Sequence, residues 1–233
     1  MKKSILVNNL KDLQIIINKY DCIGIGSEFC HNILPKLLDE LDVSTLNILK
    51  RKKILIYTPL LTDPIFGTFV KKLVRFMQKL DDIEIMLNDF GLLNYLNYNF
   101  PNIKKGISRP LSIDLVRMNN KEICKFVKEY KINSIETDEI DFLPKFKYRN
   151  FKIYLRIPLK FIGLSRFCPY ERKITYSCSY RCLNFYEELQ VKDCNEKLIL
   201  FENCYFKKMK ITNYKKLDFD MIIETISSSF KWK

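Results

Sequence analysis

"KKILIYTP" (Lys52–Pro59) and "IEIMLNDFG" (Ile83–Gly91) flank a segment, Phe66–Leu80, whose apolar residues recur at helical spacing. The first run stops at Thr58-Pro59, because proline cannot donate to a strand ladder and turns the chain. The second stops at Asn88, Asp89 and Gly91. Strand, helix and strand in that order predict one unit of a parallel sheet with its crossover helix.

The same alternation extends in both directions. Upstream, Ser4–Asn8 reads as a strand, Leu10–Tyr20 as a helix, Cys22–Gly26 as a strand, and Pro35–Leu41 and Ser44–Leu49 as helical pieces. Downstream come a helix near Leu92–Asn97, strands at Asn102–Ile107, Ser134–Glu136 and Lys152–Ile157, and a helix over Lys121–Tyr130. Six or seven strands with intervening helices predict an α/β fold, a TIM-like (β/α) parallel barrel, with a doubly wound open sheet as the competing arrangement. Because the chain is shorter than the usual closed barrel, an incomplete or distorted barrel is expected. Beyond Pro158 the pattern changes to a cysteine-rich segment, residues 165–205. "KLILFENCYFKKMKI" (Lys197–Ile211) then reads as two β-runs joined around Glu202-Asn203, and a short amphipathic helix is expected near Phe219–Ser227.

At 233 residues and 47% hydrophobic, the chain suits one large domain, 1–233, with a full apolar core. No low-complexity linker or solenoid repeat divides it. Its early apolar run is stopped by Asn8 and Asn9, before a signal core or spanning helix forms, and no later run reaches spanning length. No membrane span and a cytoplasmic location are therefore expected. The net charge of +13 ordinarily points to a polyanionic partner. Here the absence of alanine and the surplus of Lys, Asn, Ile, Phe and Tyr indicate AT-rich codon bias, which can place lysines on a surface without a partner, so a nucleic-acid partner stays open but is not favoured.

Eight cysteines in a large chain with no export signal read as reduced thiols rather than disulfide staples. Three fall in "SRFCPYERKITYSCSYRC" (Ser165–Cys182), spaced C-x9-C-x3-C at Cys168, Cys178 and Cys182. Thiolates are soft ligands for zinc or for an iron-sulfur cluster. The paired C-x2-C spacing usual for structural zinc is absent, and the single histidine, His31, lies beside Cys30. In a parallel barrel, Cys30 follows the second strand and falls on the carboxyl face with the βα loops, a position for a fourth ligand. Cys194 is the reserve fourth ligand. Cys22 and Cys124 read as small buried hydrophobes. A radical-SAM spacing fails because position 185 is Phe185. Spacing alone leaves zinc, iron-sulfur and structural thiols open.

"PLKFIGLSRFC" (Pro158–Cys168), "CSYRC" (Cys178–Cys182) with the β-hairpin after it, "IGSEFC" (Ile25–Cys30) and "EIMLNDFGLL" (Glu84–Leu93) occur here in one order. Together they resemble the collagenase-like peptidase family U, and within it the branch that serves ubiquinone biosynthesis. The resemblance runs from about Ile25 to Tyr205 and implies a TIM-like barrel with an oxygen-sensitive [4Fe-4S] cluster held by Cys30, Cys168, Cys178 and Cys182. It further implies oxygen-independent hydroxylation, a small-molecule substrate with prephenate as oxygen donor, and a homologous iron-sulfur partner subunit. RNA-base hydroxylation by a related member and a structural zinc module without catalysis are the alternatives. The chain departs from the family pattern in its short loop between Cys168 and Cys178 and in Ser27 before Glu28.

Peptidase chemistry is discounted. The sequence has no G-x-S-x-G elbow and no H-E-x-x-H, and one histidine cannot serve both a metal and a nucleophile. Arg166 and Arg181 flank ligand positions and are candidates to donate to sulfide or to a carboxylate substrate, or are simply solvated. Asn88 and Asp89 sit at a strand's carboxyl end, where a helix cap explains Asp89 equally well. Tyr176 and Tyr180 are candidates to cover the cluster. No catalytic residue is assigned.

Overall fold

The computed structural model describes residues 2–146, 150–174, 178–184, 186–190, 197–209 and 217–226. Eight parallel strands close into a barrel. In chain order they are β1 (Lys2–Val7), β2 (Cys22–Gly26), β3 (Lys53–Tyr57), β4 (Ile83–Leu87), β5 (Lys104–Ile107), β6 (Ile132–Thr137), β7 (Lys152–Ile157) and β12 (Met221–Ile226). Helices α1 (Leu10–Ile16), α2 (Ile33–Glu40), α3 (Val43–Leu49), α4 (Asp63–Met77), α5 (Phe90–Asn99), α6 (Arg109–Arg117) and α7 (Asn120–Glu129) connect them. The predicted TIM-like barrel is therefore present, and it is closed rather than incomplete.

Closure comes from a segment that the periodicity assigns to a helix. Met221–Ile226 is a strand, and the part of the expected helix beyond residue 226 lies outside the described residues. It pairs in parallel with β1 (Lys2↔Met221 to Val7↔Ile226) and with β7 (Met221↔Tyr154 to Glu224↔Ile157). A short apolar run fits either period, and two unpaired strand edges supply the backbone partners that decide it. Helix α6, unmarked in the periodicity, starts with Pro110 in its first turn.

The strand alternation produces two cores. Residues such as Ile54, Ile56, Ile85 and Ile153 pack outward against Leu73, Leu92 and Leu96 of the helices. The inward set, including Leu6, Leu55, Tyr57, Met86, Tyr154 and Ile223, fills the lumen. Gly106 is required there, since a Cβ would stand 2.5 Å from both Met86 Sδ and Ser134 Oγ. At the amino end, Lys53 Nζ meets Glu84 at 2.5 Å and Tyr154 Oη at 2.9 Å, and plugs the barrel with a paired charge.

After β7 the chain leaves the barrel at its carboxyl end. It builds a four-stranded antiparallel sheet from β8 (Leu159–Leu164), β9 (Tyr186–Gln190), β10 (Lys197–Phe201) and β11 (Cys204–Lys208), then returns as β12. The strand order is β8-β11-β10-β9. The predicted hairpin around Glu202-Asn203 is β10–β11, with Phe201 opposite Cys204. The inserted sheet buries Leu159, Ile199, Phe201 and Phe206 against Phe29 of the turn after β2. Phe29 stacks on Phe161 with ring centres 5.5 Å apart. The cysteine segment is thereby held over the carboxyl mouth.

Candidate metal centre

Cys30, Cys168, Cys178 and Cys182 line one cavity of about 270 Å³. Cys30 reaches it from the turn after β2. Cys168 lies in a tight loop closed by its own N–H on the Lys173 carbonyl at 3.0 Å. The x3 spacing of Cys178 and Cys182 is realised in a loop: Tyr180 has a left-handed backbone (φ 57°), and a single 3-10 turn over Arg181–Asn184 carries Cys182. Leu183 of that turn packs on Ile33 and Leu37 of α2, the helix that follows Cys30. The same apolar contact therefore seats both halves of the thiol set.

Burial pushes the Cys30 thiol up to about 12, with Glu202, Cys178 and Cys168 adding to the rise. Cys182 is raised by burial, then by Glu202 and the three other thiols, and Cys178 is raised chiefly by burial. Burial thus favours the protonated form of Cys30, Cys178 and Cys182, and any cation that bound them would have to displace those protons. Among the described residues, no three His, Cys, Asp or Glu side chains are grouped to hold a metal ion. The four cysteines share the lining of one cavity without forming such a group.

Beneath the cavity, the barrel mouth is filled by buried charge. Glu28 accepts from Arg109 Nε at 3.0 Å and Nη2 at 2.6 Å, from Arg156 Nη2 at 2.8 Å and from Ser108 Oγ at 2.8 Å. Arg109 Nη1 also donates to the Leu159 carbonyl at 2.8 Å, and Arg156 Nη1 stands 3.2 Å from Glu136 Oε1. Burial by itself would raise Glu28, but the two guanidinium groups more than reverse this and hold it below the usual carboxylate range. Burial outweighs the arginines at Glu136 and raises it. Glu202, in the β10–β11 turn, is pushed up to about 7 by burial. It borders both the thiol cavity and a small space above the arginines.

The remaining sequence candidates divide. Both arginines are exposed, and of the two only Arg166 lines the cavity. Asp89 caps α5 through Leu92 N–H at 2.8 Å and also accepts from Leu61 N–H, and Asn88 donates to the Thr58 carbonyl at 2.9 Å. These contacts give both residues structural roles. Tyr180 lies under Lys36 Nζ, 5.3 Å from the ring centre. Cys22 is buried in the lumen as expected, but Cys124 is exposed, because α7 turns Ile123 and Val127 to the core and the position between them outward. Cys204, the first residue of β11, is buried in the apolar cluster of the inserted sheet. Tyr176 and Cys194 lie outside the described residues. Sequence reading missed Arg109, Arg156, Glu136 and Glu202. The available signal was a charged residue at an inward position near a strand's carboxyl end, as in "KIYLRI" and "INSIET".

No family model matches the chain, and no solved structure matches it. Beta-lactamase-like protein 4 of Dictyostelium discoideum is 25% identical over 214 residues, which are 86% of this chain and 34% of that protein. The chain thus spans about a third of the length of the curated relative it matches. No helix among the described residues is long and apolar enough to cross a membrane.

Proposed function

We propose that the chain binds a [4Fe-4S] cluster through Cys30, Cys168, Cys178 and Cys182 and serves in oxygen-independent hydroxylation, as its family resemblance implies. One observation carries the proposal: thiols separated by up to 152 positions in the sequence, from Cys30 to Cys182, border the same cavity. A zinc ion needs its sulfurs about 2.3 Å from one centre. The same thiols could serve zinc, and it is the family resemblance that favours a polynuclear group. Such a group supplies electron transfer or Lewis acidity when bound.

The chain's own residues do the rest. Burial of Cys182 and the inserted sheet limit water at the thiols, while Arg166 on the cavity wall is placed to attract an anionic substrate. The small-molecule substrate class, prephenate as oxygen donor and a homologous iron-sulfur partner belong to this proposal.

Anaerobic purification or reconstitution with iron and sulfide tests it. The expected product is brown, bleached by dithionite, with iron and sulfide in equal amounts. Cys30→Ala, Cys168→Ala, Cys178→Ala and Cys182→Ala each lose the colour, and Cys194→Ala keeps it. A colourless chain that carries zinc refutes the proposal. Recovery of bound RNA instead of a protein partner moves the substrate assignment to RNA bases.

A further inference from the structure

The two-residue turn Glu202-Asn203 is hydrogen-bonded to both the segment that carries Cys30 and the segment that carries Cys168. Asn203 Nδ2 donates to the Phe29 carbonyl at 3.2 Å, one residue before Cys30. It donates also to the Ser165 carbonyl at 2.6 Å, three residues before Cys168. The Ser165 N–H returns a bond to the Asn203 carbonyl at 2.9 Å. Glu202, whose backbone is left-handed (φ 55°), accepts from Asn8 Nδ2 at 3.1 Å and from the Ser27 hydroxyl. Ser27 Oγ in turn accepts the N–H groups of Phe29 at 3.0 Å and Cys30 at 2.9 Å.

These bonds form two routes from one turn to the Cys30 backbone and one to the Cys168 loop. The barrel supplies Cys30 and the insertion supplies the other thiols. Apolar packing by Phe29, Phe161 and Phe206, which is non-directional, and the bonds of Arg109 to the Leu159 carbonyl and of Phe161 N–H to Asp138 join the two bodies at the start of β8, at the far end of that strand from Cys168. The bonds of the Glu202-Asn203 turn act at the Cys168 end.

We propose that Glu202, Asn203 and Ser27 are positioning residues that fix Cys30 relative to Cys168 and so set the dimensions of the thiol cavity. This rests on the reading of the cavity as a cluster site, but its geometric content holds for the metal-free chain as well. Asn203→Asp keeps the shape of the side chain while removing both donated bonds, Asn203→Ala removes them without adding charge, and Ser27→Ala frees the Cys30 turn. Ser27→Thr retains the hydroxyl and serves as the conservative rescue. Asn88→Ala, which loses one buried hydrogen bond at a position that does not itself line the cavity, controls for general destabilisation.

Two readouts separate the possible failures. In the reduced, metal-free chain, the rate of Cys30 alkylation by iodoacetamide is followed by peptide mass analysis. It is expected to rise about tenfold in Asn203→Asp, Asn203→Ala and Ser27→Ala, as the loss of one or two buried hydrogen bonds implies. Ser27→Thr and Asn88→Ala stay near the parent. In the iron-loaded chain, the same three variants release iron to a chelator faster and show an altered electron paramagnetic resonance spectrum after reduction, which a purely structural loss at Asn88→Ala does not produce. If the parent binds no iron, the cluster assignment fails while the alkylation series still judges the turn. If Cys30 reactivity is unchanged in the three variants, or Asn88→Ala raises it equally, the positioning role is overturned.

Discussion

Replacing Arg109 by methionine tests how the inserted sheet is fastened to the barrel. Methionine keeps part of the apolar stem between Phe29 and Phe206, whose ring centres lie 5.6 Å and 5.3 Å from the guanidinium carbon. It removes the donors to Glu28, the Leu159 carbonyl and Asp138. Glu28 keeps Arg156 and Ser108, so its charge is under-compensated rather than orphaned. Removing one partner of a buried ion pair costs about 3–5 kcal/mol, and the retained arginine places this case near the lower end. With the unpaired Leu159 carbonyl included, the expected loss is about 4 kcal/mol, since a buried acceptor without a donor costs ~1–3 kcal/mol. For a chain of this size that corresponds to a fall in melting temperature of about 8–16 °C.

The pH dependence carries a sign. A carboxyl held below its ordinary range contributes stability that is present above that range and is lost as pH falls toward its folded-state value. Glu28 is such a group in the parent, and losing Arg109 lets it rise, so the variant is less sensitive to acid than the parent. Urea unfolding followed by far-ultraviolet circular dichroism, at neutral pH and at pH about 4, measures both effects. A cycle with Glu28→Gln adds the coupling, expected at about 2 kcal/mol or more because the two groups share charge and hydrogen bonds. An Arg109→Met chain within about 1 kcal/mol of the parent, or an additive cycle, refutes the account of how the insertion is held.

Three further outcomes follow from particular residues. Glu202 is pushed up from the ordinary 4.5 to about 7 by burial, so its contribution is fully present below pH 4.5 and is lost as pH rises through 7. The loss is worth about 3 kcal/mol, and Glu202→Gln flattens the stability profile over that window in urea titrations. Gly26→Ala is strongly destabilising, by more than about 2 kcal/mol, because position 26 has φ +112° and a Cβ would stand 2.4 Å from the Tyr57 carbonyl oxygen. Gly67→Ala in α4 meets no atom within 4 Å and gains about 0.5–1 kcal/mol from helix propensity, and thermal melts compare the pair directly. Among the described cysteines, iodoacetamide modifies Cys124 first and the buried Cys22 and Cys204 last, which peptide mass analysis reads without any metal.

Most of the barrel was legible in the sequence because each βα unit is local. Apolar runs such as Ile54–Tyr57 and Ile83–Leu87 pair with neighbours reached through one helix, and their periodicity needs no distant partner. The placement of Cys30 on the carboxyl face followed from strand polarity, and the three later cysteines lie close in sequence. The exposure of Cys124 was misjudged because one helical position beside Ile123 separates core from solvent.

The sequence by itself therefore determined the parallel α/β architecture, the hairpin at Glu202-Asn203 and the candidate thiols. Only the tertiary structure decided that Met221–Ile226 is the closing strand, since the open edges of β1 and β7, more than 60 residues upstream of it, choose between two periods that the run fits equally. Only the tertiary structure could place Arg109, Arg156 and Glu28 together, or join Ser27 to Glu202 across 175 positions. A buried charge is tolerated only where a counter-charge meets it, and that meeting is a property of the folded chain, not of any local stretch.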